Sequence, residues 1–287
     1  MCDNDIHVGL VEDWSVTRRM FMATGAAVGL AGATGAHAAA NVTETNVTIK
    51  TPDGSADAVL FHPAGAGSWP AVLMWPDIMG LRPVFREMGR RLAAEGYVVL
   101  VPNPFYRNGP AKDMEGAFDF NDPEARKVLF GYRAAMTDEG VDHDSAAYLA
   151  FLDEQPQVDK GRKAGVQGYC MGGPLSFRTA AAVPGRIGAV GSFHGGGLTT
   201  DQPSSPHLLI PKTEAAYLVA VAQNDDAKEP ESKTILRKAF DAAGKQAIVE
   251  VYPANHGWCV PGSQAYDHDA AEKAWAALLA MYRTALA

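Results

Sequence analysis

Short, nearly continuous apolar runs alternate along this chain with stretches of helical spacing. Ala71–Trp75 and residues 97–101 read as buried strands, closed by Pro76 and Pro102. Between them, residues 83–95 put Phe85, Met88 and Leu92 on one helical face and Arg86, Arg90 and Arg91 elsewhere. Residues 47–50 and 58–61 flank a Pro52-Asp53-Gly54 turn, which predicts an antiparallel hairpin. The same reading predicts strands over 164–169, 187–193, 216–222 and 247–252, and helices over 123–136, 143–154, 174–182, 231–243 and 269–285. Strands joined by helical crossovers imply an α/β fold: a mainly parallel sheet flanked by helices, its edge extended by the N-terminal hairpin. No linker or compositional break divides residues 41–287, so one domain is expected, with the irregular stretch 103–122 looping over an active site.

The first residues follow a different pattern. Thr17-Arg18-Arg19-Met20-Phe21-Met22 precedes a weakly apolar, Gly- and Ala-rich run, then the small-x-small site Ala36-His37-Ala38. That order predicts a twin-arginine-type signal over residues 1–38, a folded domain over 39–287 and export to the periplasm. The alternative is a cytoplasmic enzyme with an N-terminal arm.

The hydrophobic fraction of 47% and charged fraction of 20% describe an ordinary globular chain. A net charge of −8 without a basic cluster argues against nucleic acid as a partner. Beyond the signal, no apolar run is long enough to predict a membrane span. Once the signal is removed, only Cys170 and Cys259 remain. Two cysteines make no disulfide framework, and without a CxxC pair no metal site is expected.

The chemistry concentrates at the strand ends. Gly168-Tyr169-Cys170-Met171-Gly172-Gly173 lies where a buried strand turns into a helix, the G-x-nucleophile-x-G elbow with Cys in place of Ser. A cysteine after a strand is more often a small core residue, but glycines on both flanks reverse that preference. In this fold the order along the chain is nucleophile, acid, base. Asp225 and Asp226 follow the next-but-one strand, and His256 follows the last one, so both reach the sheet edge where ligands bind in open α/β folds.

With these residues in place, the chain resembles the dienelactone hydrolase family over nearly all of residues 39–287. The resemblance rests on Gly-x-Cys-x-Gly-Gly at 168–173 and on Pro76-Asp77-Ile78-Met79-Gly80-Leu81. It also rests on Leu92-Ala93-Ala94-Glu95-Gly96-Tyr97-Val98-Val99 with Pro102, and on His256-Gly257-Trp258. It implies an α/β-hydrolase fold with Cys170 as nucleophile, His256 as base and Asp225 as acid, with Asp226 the alternative acid. It implies an oxyanion hole from the Ile78 and Met171 amides. Asp77 stands where the family carries an auxiliary acid, commonly Glu, that governs thiol ionisation; its bland role is a helix cap. Arg107 matches a substrate-carboxylate arginine, with a solvated loop charge as the competing role. Val260 stands where the family carries a second such arginine.

The expected activity is hydrolysis of a small carboxylic ester or lactone through a thioester acyl-enzyme, without metal or cofactor. An acyltransferase with the same three residues is one alternative, and a non-catalytic carboxylate-binding protein is the other. Monomer and dimer both stay open. His194 is read as a structural histidine, with a place facing the cavity as the alternative. Cys259 is read as a core residue, although a reversible disulfide with Cys170 is also conceivable.

Overall fold

The computed structural model describes residues 41–287; the signal expected over residues 1–38 lies outside the described residues. In chain order the elements are β1 (Val42–Thr51), β2 (Gly54–Pro63), β3 (Ala71–Trp75), α1 (Pro83–Ala94), β4 (Val98–Pro102), α2 (Ala111–Met114), α3 (Pro123–Ala135) and α4 (Asp138–Glu154). They continue with β5 (Ala164–Tyr169), α5 (Gly172–Ala182), β6 (Ile187–Phe193), α6 (Pro206–Leu209), β7 (Ala216–Ala222) and α7 (Gln223–Lys228). Last come α8 (Ser232–Ala242), β8 (Ala247–Tyr252) and α9 (His268–Ala285).

The strands form one eight-stranded sheet in the order β1-β2-β4-β3-β5-β6-β7-β8. Only β2 runs antiparallel to its neighbours β1 and β4; every pair from β4 through β8 is parallel. The predicted hairpin therefore extends one edge of an α/β-hydrolase sheet.

The continuous apolar runs follow from burial on both faces. Along β4, Val98 and Leu100 join the core beneath α4, α5 and α8, whereas Val99 and Val101 join the core beneath α1 and α9. Strand β3 alternates in the same way, with Leu73 and Trp75 on the first face and Val72 and Met74 on the second. Among the described residues, no helix is long and apolar enough to cross a membrane.

The helices depart from the sequence expectation in several places. Helix α4 begins at Asp138 rather than at 143, because the Thr137 side chain accepts the Gly140 N–H and caps an acidic, weakly patterned first turn. Helix α5 begins two residues before Pro174, directly after the elbow. The run after β7, for which no helix is predicted, closes into α7.

Candidate active site

Strand β5 delivers Cys170 to the carboxyl edge of the sheet. Its backbone has φ +52°, left-handed and costly for a residue with a Cβ, and it is nearly fully buried. The Cys170 N–H donates to the Phe193 carbonyl at 3.0 Å, and the Gly173 N–H closes the turn on the Cys170 carbonyl at 3.0 Å. The flanking glycines are steric requirements. A methyl group on Gly168 would come 2.0 Å from the Gly172 carbonyl oxygen, and one on Gly172 would come 2.6 Å from that of Trp75. The second contact brings the start of α5 against the end of β3.

The two other candidate residues are joined through α7. His256 Nδ1 lies 2.6 Å from Asp225 Oδ2, while the His256 backbone N–H donates to Asn224 Oδ1 at 2.8 Å. The Gln223 N–H donates to the Ala254 carbonyl at 3.0 Å, and the Gln223 side-chain amide donates to Asn255 Oδ1 at 3.2 Å. Three successive residues of α7 thus grip three successive residues of the loop after β8. Asn224 escaped the sequence reading; an amide immediately before a candidate acid was the signal available. Asp226 turns away and accepts from Lys233 Nζ at 2.6 Å. The His256 imidazole is largely buried, and its Nε2 has no hydrogen-bond partner among the described residues.

His194 belongs to this group as well. It is buried directly after β6, with its ring centroid 4.8 Å from that of His256. Burial, and then His256, hold its imidazole well below the usual histidine range, outweighing the pull of its own backbone.

Two further candidates are engaged by partners of their own. Asp77 accepts from Met79 N–H at 2.9 Å and forms a bidentate bridge to Arg82, at 2.6 and 2.8 Å. Its side chain caps the loop after β3; Arg82, not Asp77, is the N-cap residue of α1. Arg107 is neither a solvated charge nor an open anion receptor. Its guanidinium donates to Asp144 at 2.8 and 2.9 Å and to Asp53 at 2.6 Å. The Tyr106 hydroxyl donates to the same Asp144 at 2.7 Å. Burial pushes the Asp144 carboxyl up even against Arg107, whereas the Arg107 hydrogen bond draws the open Asp53 down.

Cys170 and Cys259 are not joined by a disulfide, and they sit in the cores on opposite faces of the sheet. The conceived redox pairing has no support in this geometry. Cys259 borders a cavity of about 310 Å³ with Met88, Tyr169, Phe193 and Trp275, and burial pushes its thiol well above the normal range. It has the core role expected of it.

A cysteine elbow, with an acid and a histidine at the ends of later parallel strands, gives this chain the architecture of an α/β-hydrolase. More narrowly, it belongs to the dienelactone hydrolase family, whose model matches residues 56–286. The carboxymethylenebutenolidase of Pseudomonas sp. (strain P51) is 29% identical to it over 218 residues, covering 76% of this chain and 85% of that one. A dienelactone hydrolase-like promiscuous phosphotriesterase from metagenomic libraries has the same fold, with TM-score 0.69 and 22% identity, covering 86% of this chain and 99% of that one. So does the dienelactone hydrolase from Anabaena variabilis ATCC 29413, with TM-score 0.56 and 18% identity, covering 86% and 99%. The chain is a dienelactone hydrolase-like hydrolase.

Proposed function

We propose that this chain hydrolyses a carboxylic ester or lactone by nucleophilic catalysis, with Cys170 as nucleophile, His256 as general base and Asp225 as the group that orients it. The observation carrying this reading is the 2.6 Å His256–Asp225 contact at the same sheet edge as a buried cysteine at φ +52°. Asp225 fixes the imidazole tautomer with the proton on Nδ1, which leaves Nε2 basic.

His256 Nε2 takes the Cys170 thiol proton as sulfur attacks the carbonyl carbon. The oxyanion is held by the Ile78 and Met171 N–H groups, where removing one donor costs about 3–4 kcal/mol in comparable sites. Collapse breaks the bond to the leaving oxygen, which takes the proton from His256, and a thioester remains on Cys170. Water then gives a proton to His256 and attacks the thioester. The thiolate leaves, regains its proton, and the acid is released.

The substrate does not depend on a carboxylate to be held. Arg107 is committed to two aspartates, and Val260 replaces the other family arginine. We also propose export through the segment 1–38: replacing Arg18 and Arg19 by Lys should strand the full-length chain in the cytoplasm, and unchanged periplasmic recovery would refute it.

Acid quenching during turnover of an aryl ester tests the chemistry. Peptide mapping should find the acyl mass on Cys170; an acyl group on another residue would overturn the assignment.

A further inference from the structure

His194 has two features that a core histidine ordinarily avoids. Its backbone sits at φ +41°, uncommon for a residue with a Cβ, and its side chain is buried with neither ring nitrogen bonded to any other described residue. The fold imposes the backbone. The His194 N–H donates to the Ala220 carbonyl at 2.8 Å, and the next residue, Gly195, is forced close to Gly173, where a methyl group on Gly173 would come 2.6 Å from the Gly195 Cα. Glycine at 194 would satisfy that geometry without strain. Ring packing can account for the imidazole's carbons, but not for two buried nitrogens without another partner.

The ring is held among Tyr169, Trp258 and His256, with centroids 6.2, 6.3 and 4.8 Å away. Its depressed proton affinity keeps it neutral, so it offers one N–H donor and one basic nitrogen. His256 Nε2, in the adjacent ring, is also buried and unpartnered among the described residues.

We propose that His194 is a further catalytic residue, which holds the attacking water beside His256 during breakdown of the acyl-enzyme. This rests on the Cys170 reading above. Water has two hydrogens: one goes to His256 Nε2, the other is accepted by the basic nitrogen of His194, and an oxygen lone pair is left for the thioester carbon. His256 takes the proton as the carbon–oxygen bond forms, and the carbon–sulfur bond then breaks; His194 accepts a hydrogen bond and takes no proton. An ester leaving oxygen carries no hydrogen while bonded to carbon, so the same contact gives no help in acylation. His194 therefore acts on deacylation.

Stopped-flow turnover of p-nitrophenyl acetate, with acid-quench mass spectrometry, separates the two steps in wild type, His194→Phe and His194→Asn. Phe fills the ring's place without nitrogens and should leave the melting temperature unchanged or raised. Asn tolerates φ > 0 and restores an acceptor. In His194→Phe the acylation burst should stay within about threefold of wild type while deacylation slows about 100-fold, the scale of losing the positioning of a reacting group. Acetyl-Cys170 should accumulate, and His194→Asn should recover part of the rate. Acetyl-Cys170 that decays as fast in His194→Phe as in wild type overturns this inference alone, as does an equal loss in both steps. A wild type that turns over without acetyl-Cys170 overturns the Cys170 reading and this inference with it.

Discussion

His256 Nδ1 stands 2.6 Å from Asp225 Oδ2, while Asp226, one residue further on, stands 2.6 Å from Lys233 Nζ. A helical step of about 100° separates the two side chains, so α7 can aim only one at the histidine. Asp225→Asn should cut kcat by roughly 10²–10⁴-fold, because an amide no longer specifies the tautomer that leaves Nε2 basic. Asp226→Asn should stay within about twofold of wild type, since it loses only a half-buried pair with Lys233 that does not touch His256. Steady-state kinetics of the two variants on one ester would decide it; the reverse ranking would move the acid to Asp226.

Arg107 is predicted to matter to stability rather than to substrate. Its removal leaves Asp144, 1% exposed, as a buried carboxylate without its cation. Breaking such a pair costs about 3–5 kcal/mol. Denaturant unfolding of Arg107→Ala should show a loss of that order. The ratio of kcat/KM for esters with and without a carboxylate should be unchanged. A selective rise in KM for the carboxylate-bearing ester, with stability intact, would restore Arg107 to the binding site.

The Arg91–Glu272 pair clamps α1 to α9 and gives stability a pH dependence of known sign. The Arg91 hydrogen bond draws the Glu272 carboxyl below its ordinary 4.5. Its contribution is therefore complete above that value and is lost as pH falls through the lower folded-state pKa. Both side chains are more than a third exposed, at 44% and 38%, so screening limits the effect to about 0.5–1 kcal/mol. The melting temperature of Glu272→Gln should lie about 1–3 °C below wild type near pH 7 and converge with it toward pH 3. A gap that widened in acid would contradict this.

Strand positions were legible because burial on both faces demands unbroken apolar runs, as in Ala71–Trp75 and Ala216–Ala222. The elbow was legible because Gly168 and Gly172 answer local steric needs. Less local properties were not. The early start of α4 depends on one hydroxyl cap, and the short α7 is stabilised by its grip on residues 254–256. Arg107 and Asp77 could be placed at sites by spacing, but their partners, Asp144 and Arg82, are set by tertiary contacts. The strain at His194 arises where β6 turns against the start of α5, and no residue pattern announces a positive φ at a histidine.

Cysteine reactivity should separate the two faces of the sheet. Iodoacetamide should inactivate the enzyme by modifying Cys170, which His256 activates in the proposed mechanism, with peptide mapping showing Cys259 spared, because burial pushes its thiol well above the normal range. Cys259→Ser should retain most of the activity. Inactivation that tracked modification of Cys259 would contradict the assignment.

Cys170 as nucleophile is put to the test by esterase turnover in Cys170→Ala, with folding verified by its melting curve. In that variant kcat/KM should fall by at least about 10³-fold, with no acyl-enzyme detectable by mass. A correctly folded Cys170→Ala enzyme turning over its ester at the wild-type rate would contradict it.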